Sequence, residues 1–149
     1  MMAHVELAVD IQAPAHQVWT GITNWPAQGQ WMMATTVKSI DGIGHEVGAR
    51  LEAFTGIGKI GFLDTMVVTS WDPPNRCDVL HTGKVVRGTG TFKVVAIHDH
   101  ASRFFWEEDL EIPLGIIGKI GFTLVKPLFL LGIKKSLAKF AHLVEIGQI

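Results

Sequence analysis

The 149-residue sequence is poor in several residue types, and each shortage excludes a class of chemistry. A single cysteine, Cys77, excludes an internal disulfide and any zinc site built from several cysteines. There is no tyrosine, so no phenolic hydroxyl can act as a proton donor. Charged residues make up only 18% of the chain, below the roughly 25% of typical globular domains. With a net charge of −1, the chain has no overall positive field that would attract nucleic acid or an anionic membrane.

Apolar residues are abundant instead. Hydrophobic residues make up 48% of the sequence and the mean hydropathy is +0.29, which excludes an intrinsically disordered chain. A chain of this length is expected to form a single domain over residues 1–149 and to bury roughly 68% of its unfolded surface. The stretch from Met1 to Gln12 alternates polar and apolar residues, unlike the continuous apolar run of a secretory signal. We therefore expect a cytoplasmic location.

The most apolar stretch, from Ile112 to Ile133, allows three interpretations. Lys119 and Lys126 interrupt it, together with two prolines and several glycines, which argues against a membrane-spanning helix. A shallow contact with a bilayer surface suits an interrupted apolar stretch better. Burial in the protein's own core is the arrangement we expect.

Apolar periodicity predicts strands over most of the chain. Residues His4 to Gln12 alternate with period two and predict a first strand. Pro14 then marks the start of a short helix that ends at Asn24-Trp25-Pro26, and a second short element reaches Trp31. Runs between turn signals predict six further strands, over residues 35–40, 48–55, 60–71, 76–81, 85–97 and 102–112. Because the connections are short, neighbouring strands should pair antiparallel.

The pattern changes to helical after Pro113. Apolar residues recur at spacings of three and four from Leu130 to Val144, as on one side of a helix. Pro127 should end or kink any helix that enters from Leu124, so we expect a broken helix with its stronger part over residues 127–145. A sheet with one apolar face needs a cover, and this helix has the length to provide it.

Motifs in a fixed order give the chain a resemblance to a known superfamily. They are Ala13-Pro14 with Val18-Trp19, Trp25, Trp31, Trp71-Asp72-Pro73-Pro74, His81-Thr82-Gly83, the run from Arg87 to Phe92, Trp106-Glu107-Glu108 and Pro113-Leu114-Gly115. With them the chain resembles the START-like superfamily, SRPBCC, in its polyketide cyclase/dehydrase-like branch of bacterial proteins. The resemblance implies an α+β helix-grip fold, a curved antiparallel sheet of about seven strands wrapped around a long C-terminal helix. It also implies two short helices after the first strand and a hydrophobic cavity.

Two titratable residues are candidates for catalysis. On the strand that ends at Ile112, Glu108 shares an apolar, inward-facing set of alternate residues with Phe104, Trp106 and Leu110. A carboxylate held there could donate or accept a proton, and the alternative is a solvated or lysine-paired group at the end of the sheet. His81 could enter the same cavity as a hydrogen-bonding group or base. Its alternative is a histidine satisfied by backbone or exposed at the turn before Gly83.

The candidate ligand-binding residues come from the inward faces of the strands and from the helix. They are Trp106, Phe104, Leu110, Asp64, Phe92, Gly88, Gly90, Leu130, Ile133 and Leu137, with Trp31 as a further aromatic candidate. Gly88 and Gly90 remove side chains from one strand face, which allows strong curvature or the close approach of a ligand. Both faces of the strand that carries Asp64 are apolar, so alternation does not orient that carboxylate.

Two short motifs suggest cofactors, but neither lies in the required context. The run from Gly56 to Gly61 matches a dinucleotide-binding fingerprint, yet a strand and no helix should follow it, so an apolar flap over the cavity is the better interpretation. His98-Asp99-His100 falls on a predicted hairpin turn without a third ligand. We therefore expect no cofactor and no metal.

Three functions remain open from the sequence. The first is a binding protein for a lipid, polyketide or aromatic metabolite held between sheet and helix. The second is a polyketide cyclase or dehydratase in which Glu108 or His81 transfers protons; the missing tyrosines weaken it. The third is a membrane-surface or partner-binding module that uses residues 112–133. The expected partner is a small hydrophobic ligand and not nucleic acid, and the sequence leaves open whether the chain is a monomer or a homodimer.

Overall fold

The computed structural model describes residues 2–149, which form seven strands, two α-helices and one 3-10 helix. In chain order the elements are β1 (Met2–Ile11), α1 (Ala15–Ile22), the 3-10 helix (Trp25–Gln30), β2 (Thr35–Ser39), β3 (Arg50–Ile57), β4 (Ile60–Asp72), β5 (Arg76–Thr82), β6 (Arg87–His98), β7 (Ala101–Glu111) and α2 (Gly115–Glu145). The strands form one antiparallel sheet in the order β1-β7-β6-β5-β4-β3-β2. The predicted helix-grip architecture, a curled sheet with a long C-terminal helix, is confirmed.

Short hairpins set the register of most of the sheet. The first strand of the chain, β1, then pairs with the last one, β7. β1 pairs with β7 from Met2 opposite Glu111 to Ile11 opposite Ser102. Irregular pairing near Val68 in β4 and near Ala96 in β6 increases the local twist of these long strands. The sheet therefore curls, and its concave face carries the inward residues of every strand.

The core lies between this concave face and the C-terminal half of α2. Phe104 of β7 and Phe140 of α2 are fully buried, with ring centroids 5.7 Å apart. Trp31 packs on Phe140 at 4.9 Å. The carboxylate of Glu145 accepts a hydrogen bond from the backbone N–H of Gln12 at 2.9 Å, which fixes the end of α2 beside the end of β1.

The predicted break at Pro127 is wrong. The α2 helix runs from Gly115 to Glu145, 31 residues in all, without interruption at this residue. A proline inside a helix removes one backbone hydrogen bond to the carbonyl four residues earlier, here that of Thr123. Thr123 is exposed, so water can donate to the freed carbonyl. The regular helix on both sides of Pro127 compensates for the remaining free-energy cost of the lost hydrogen bond.

The predicted burial of residues 112–133 in the core is also wrong over most of this stretch. Only the C-terminal half of α2 reaches the core, beginning with Ile133. In the N-terminal half the exposed apolar residues include Ile116 (77% exposed), Ile117 (74%), Ile120 (57%), Leu124 (73%), Leu128 (73%) and Leu131 (50%). Apolar periodicity looks alike in the two halves, so it could not show which half packs on the sheet.

Candidate functional site

Two glycines on β6 create a gap in the concave face of the sheet. Gly88 lies opposite His81 of β5, and Gly90 lies opposite Glu108 of β7. Adjacent strands are about 4.8 Å apart, so β5 and β7 are separated by roughly twice that distance. Since no side chain from β6 stands between them, the side chains of His81 and Glu108 can meet above it.

A hydrogen-bonded cluster of three ionisable side chains occupies this gap. His81 Nε2 lies 3.0 Å from Glu108 Oε2, and His81 Nδ1 lies 2.9 Å from Asp64 Oδ1. The Trp106 Nε1–H donates to Glu108 Oε1 at 2.7 Å. The side chains are only 4% exposed for His81, 13% for Asp64 and 12% for Glu108, so the cluster is shielded from water. We call Asp64, His81 and Glu108 the acidic cluster.

The surroundings of His81 fix its charge. Burial alone would lower the pKa of His81, but the hydrogen bonds and negative charges of Asp64 and Glu108 outweigh it and raise that pKa from 6.5 to about 9. Because a carboxylate only accepts hydrogen bonds, each ring nitrogen of His81 must carry a proton to donate to its partner. At neutral pH His81 is therefore an imidazolium, and with two carboxylates the acidic cluster has a net charge of −1.

The acidic cluster lies in the wall of an otherwise largely apolar cavity. The lining residues are Trp25, Gln28, Met32, Val37, Leu51, Ala53, Asp64, Met66, Cys77, Val79, His81, Gly90, Thr91, Phe92, Trp106 and Glu108. About 80 Å³ of the cavity is open to the centre of a water molecule. A single water needs roughly 10–15 Å³ by this measure, while sites that enclose a drug-sized ligand reach roughly 300–1,000 Å³. A ligand larger than a small ring must therefore displace lining side chains, of which Met32 and Met66 are the most adaptable.

The cavity is bounded differently from the sequence prediction. Its floor is the concave face of the sheet, as expected, but the 3-10 helix and Met32 cover it, and α2 contributes no lining residue. Ile133 and Leu137 instead fill the core beside Phe104, where they are buried. The part of α2 that reaches the sheet packs beside Phe104, and the part before Ile133 is largely exposed.

The structure therefore divides the predicted site residues into two groups. Those that line the cavity are Glu108, His81, Asp64, Trp106, Phe92 and Gly90. Those outside the lining are Phe104, Leu110, Gly88, Leu130, Ile133, Leu137 and Trp31. His81 takes neither of the alternatives that the sequence left open, since its partners are two carboxylates rather than backbone or solvent.

Several lining residues were missed by the sequence analysis. The 3-10 helix and the residues after it contribute Trp25, Gln28 and Met32, which alternation along strands cannot reveal. Val79 shares its strand face with His81, which was a usable signal, whereas Met66 shares its face with Asp64 on a strand that alternation does not orient. Cys77 also lines the cavity, and burial, together with the neighbouring charge of Asp78, raises the pKa of its thiol to about 12.

The two motifs with a cofactor pattern lie in hairpin turns. Residues 56–61 form the tip of the β3–β4 hairpin, and β4 follows directly, so no helix N-terminus is placed for a phosphate. Ile57 and Ile60 at this tip are 85% and 84% exposed. His98-Asp99-His100 lies where β6 turns into β7.

Comparison with solved structures shows the same fold in proteins of very different sequence. The Zhui aromatase/cyclase from Streptomyces sp. R1128 superposes with a TM-score of 0.79 at 14% identity, covering 97% of this chain and 94% of that one. A START superfamily protein from Mycobacterium smegmatis gives 0.71 at 15% identity, covering 90% and 93%. Norcoclaurine synthase from Thalictrum flavum, crystallised with dopamine and hydroxybenzaldehyde, gives 0.68 at 15% identity, covering 97% and 87%.

At the level of sequence, no curated protein matches the chain. A family model described as polyketide cyclase/dehydrase and lipid transport matches residues 2–145, nearly the whole chain. The protein therefore belongs to the polyketide cyclase/dehydrase and lipid transport family.

Proposed function

We propose that the protein binds a small hydrophobic molecule in the cavity and anchors its polar group on the acidic cluster. One observation carries this proposal: three ionisable side chains are grouped in the wall of a cavity that is otherwise lined mainly by apolar side chains. Apolar walls provide affinity through burial of ligand surface, worth about 25 cal/mol per Å². A single polar cluster then fixes the orientation of the ligand.

The charge of the cluster selects the chemistry of the ligand's polar group. Both N–H groups of His81 are already donated to carboxylates, and the cluster carries a net charge of −1. Asp64 Oδ2 has no hydrogen-bond partner within residues 2–149 and is the free acceptor of the cluster. The preferred ligand group is therefore a hydrogen-bond donor, such as a hydroxyl, phenol or ammonium, and a carboxylate or phosphate is disfavoured.

The comparisons support a hydrophobic ligand without identifying it. The family description includes lipid transport and polyketide cyclases, whose ligands are hydrophobic. Among proteins of the same fold, norcoclaurine synthase was crystallised with an amine and a hydroxylated aromatic aldehyde. A shared fold hosts many functions, so the ligand class rests on the acidic cluster rather than on these relatives.

A series of ring compounds tests this function. Binding of 4-ethylphenol, 4-ethylanisole and 4-ethylbenzoate is followed by tryptophan fluorescence, since two of the five tryptophans, Trp25 and Trp106, line the cavity. The phenol should bind about tenfold or more tightly than the anisole, since a hydrogen bond to a charged group contributes roughly 1.5–3 kcal/mol. The benzoate should bind weakest. Native mass spectrometry of the freshly purified protein should also reveal a bound apolar molecule.

Variants of the free acceptor provide the control. Asp64→Asn should abolish the preference for the phenol over the anisole, while Glu52→Gln, a change at a partly exposed carboxylate outside the cavity, should preserve it. Equal affinity of the native protein for phenol, anisole and benzoate would disprove anchoring on the cluster. Absence of binding by all three, with no co-purified molecule, would remove the binding function itself.

A second function, acid–base catalysis of the cyclase or dehydratase type, is favoured by a different observation. The imidazolium of His81 lies within hydrogen-bond distance of two carboxylates in the same cavity. A carboxylate can remove a proton from the carbon next to a ligand carbonyl, and His81 can stabilise the resulting enolate if it releases one carboxylate. Here Glu108 or Asp64 is the base and His81 the electrostatic partner.

Proton exchange tests this second function without a known substrate. In D₂O the protein should accelerate exchange of the α-protons of a small aryl ketone such as phenylacetone. Glu108→Gln or Asp64→Asn should remove the acceleration and retain ketone binding. A native protein that binds the ketone without accelerating exchange would restrict the function to binding.

A further inference from the structure

The N-terminal half of α2 is an apolar helix that the rest of residues 2–149 leaves uncovered. By length and composition α2 is able to cross a membrane, and only 6% of its most apolar 18-residue window is buried. The core helix of a soluble protein would be mostly buried. An exposed apolar helix of this size marks an interaction surface.

The apolar side chains form a defined face that points away from the protein. Lys119, Lys126, Ile133 and Phe140 follow one another at intervals of seven residues and lie on the same side of α2. The last two are buried in the core, so this side faces the body of the protein. The opposite side carries Ile117, Ile120, Leu124, Leu128 and Leu131, all at least half exposed. We call these five residues the outer apolar face.

The helical segment that carries this face has basic side chains and no acidic ones. Between Pro113 and Val144 the chain contains five lysines and no aspartate or glutamate. Lys134 and Lys135 come three and four residues after Leu131 and are exposed at the C-terminal end of the outer apolar face. None of the five lysines forms a salt bridge within residues 2–149. The segment is therefore strongly basic although the whole chain has a net charge of −1.

Further apolar side chains lie at the same end of the molecule. The β3–β4 hairpin, the turn from β5 to β6 and the start of α2 are all at one end of the antiparallel sheet. The exposed apolar residues there include Ile57, Ile60, Val85 and Leu114. Lys59 and Lys84 lie beside them in the two turns. This end of the protein thus combines apolar side chains with lysines on three separate elements.

We propose that residues 115–131 lie in the surface of a lipid bilayer that contains anionic lipids, with the outer apolar face inserted below the headgroups. An apolar face with lysines at its end and on its opposite side is the pattern of an in-plane membrane helix. Lys134 and Lys135 contact lipid phosphates, each contributing about 1 kcal/mol near an anionic surface. Lys119 and Lys126 within the apolar stretch disfavour a spanning orientation. Pairing of two copies would bring two basic helices together without acidic partners.

Vesicle co-sedimentation of the full chain tests the proposal. The protein should sediment with vesicles of phosphatidylcholine and phosphatidylglycerol, bind less to phosphatidylcholine alone, and be released from the mixed vesicles by alkaline carbonate. High salt should weaken binding to the mixed vesicles. Leu124→Glu should reduce binding by a factor of about ten or more, the equivalent of one buried leucine side chain. Ile43→Glu is the matched control, because Ile43 and Leu124 are both 73% exposed but lie at different places in the fold.

Three results would overturn the proposal. The first is a native protein that stays in the supernatant with both vesicles, and the second is equal binding by Leu124→Glu and Ile43→Glu. The third is resistance to carbonate extraction, which would show a spanning helix.

Light scattering without vesicles detects the competing occupant, a second copy of the chain. A dimer that Leu124→Glu dissociates, without vesicle binding, would assign the outer apolar face to self-association. The ligand-binding function is tested separately by the ring compounds, so the two proposals can fail independently.

Discussion

His81 and Glu108 belong to strands that do not pair with each other, yet His81 Nε2 and Glu108 Oε2 lie 3.0 Å apart above Gly90. The contact depends on the absence of a side chain at residue 90. A Cβ atom there would lie 2.9 Å and 3.1 Å from the two carboxylate oxygens of Glu108. The glycine therefore creates the space that the carboxylate occupies.

The first prediction is that Gly90→Ala uncouples His81 from Glu108. The added methyl group forces the carboxylate to move, because a Cβ rarely approaches another atom within 3.0 Å. The pKa of His81 should then fall from about 9 toward 6.5, as measured by NMR titration of its imidazole. Gly83→Ala is the control, since its Cβ would meet Thr65 Oγ1 at an ordinary 3.4 Å. An unchanged His81 titration in Gly90→Ala would contradict the steric argument.

The second prediction concerns the pH dependence of stability. His81 has a pKa of about 9 in the folded protein and 6.5 as its ordinary value, so the folded state binds the extra proton between these pH values. The stabilisation is fully present below pH 6.5 and is lost as pH rises through 9. The difference corresponds to about 3 kcal/mol in the free energy of unfolding, measurable by urea denaturation. The double variant Asp64→Asn/Glu108→Gln should lose this decline. An equally steep decline in that variant would assign the pH dependence to other groups.

The fold was predictable because local signals agree along most of the chain. Alternation from His4 to Gln12, proline at the start of α1 and turn residues between the strands all favour the observed elements. The errors concern α2, where the apolar residues before and after Ile133 look alike in sequence. Whether the sheet covers the apolar residues before Ile133 depends on the lengths and twist of seven strands. No local sequence pattern contains that information.

The site was predictable only in part, for a similar reason. Alternation placed Glu108 on an inward face, and Gly88 and Gly90 were interpreted as residues that allow strong curvature or the close approach of a ligand. That His81 and Asp64 approach the gap depends on pairing between β4 and β5, where Met66 lies opposite His81. Register between strands is a long-range property, so the grouping of three ionisable residues became visible only in the structure.

The third prediction is that Cys77 is nearly inert in the folded protein. Burial raises the pKa of its thiol to about 12, so its thiolate fraction at neutral pH is about a thousandfold below that of a thiol with the ordinary value of 9.0. Reaction with Ellman's reagent should be slow in the native protein and complete in guanidinium chloride. Because Cys77 lines the cavity, a bound ring compound should slow the native reaction further. Fast stoichiometric labelling of the native protein would show that the cavity opens readily to solvent.

The fourth prediction compares two tryptophans that are equally buried but differently bonded. Trp25 and Trp31 are each 2% exposed, but Trp25 Nε1 donates to the Gly44 carbonyl at 3.1 Å, whereas Trp31 Nε1 has no partner within residues 2–149. Replacement by phenylalanine removes the same atoms from both positions. Only Trp25→Phe also leaves a buried carbonyl without its donor, which costs about 1 kcal/mol or more.

Urea denaturation should therefore show a larger loss of stability for Trp25→Phe than for Trp31→Phe, with similar m-values for both variants. Trp31→Phe removes an unsatisfied buried N–H, so part of its cavity cost is offset. A loss for Trp31→Phe equal to or greater than that for Trp25→Phe would contradict the prediction, because packing rather than the hydrogen bond to Gly44 would then decide the cost at these two positions.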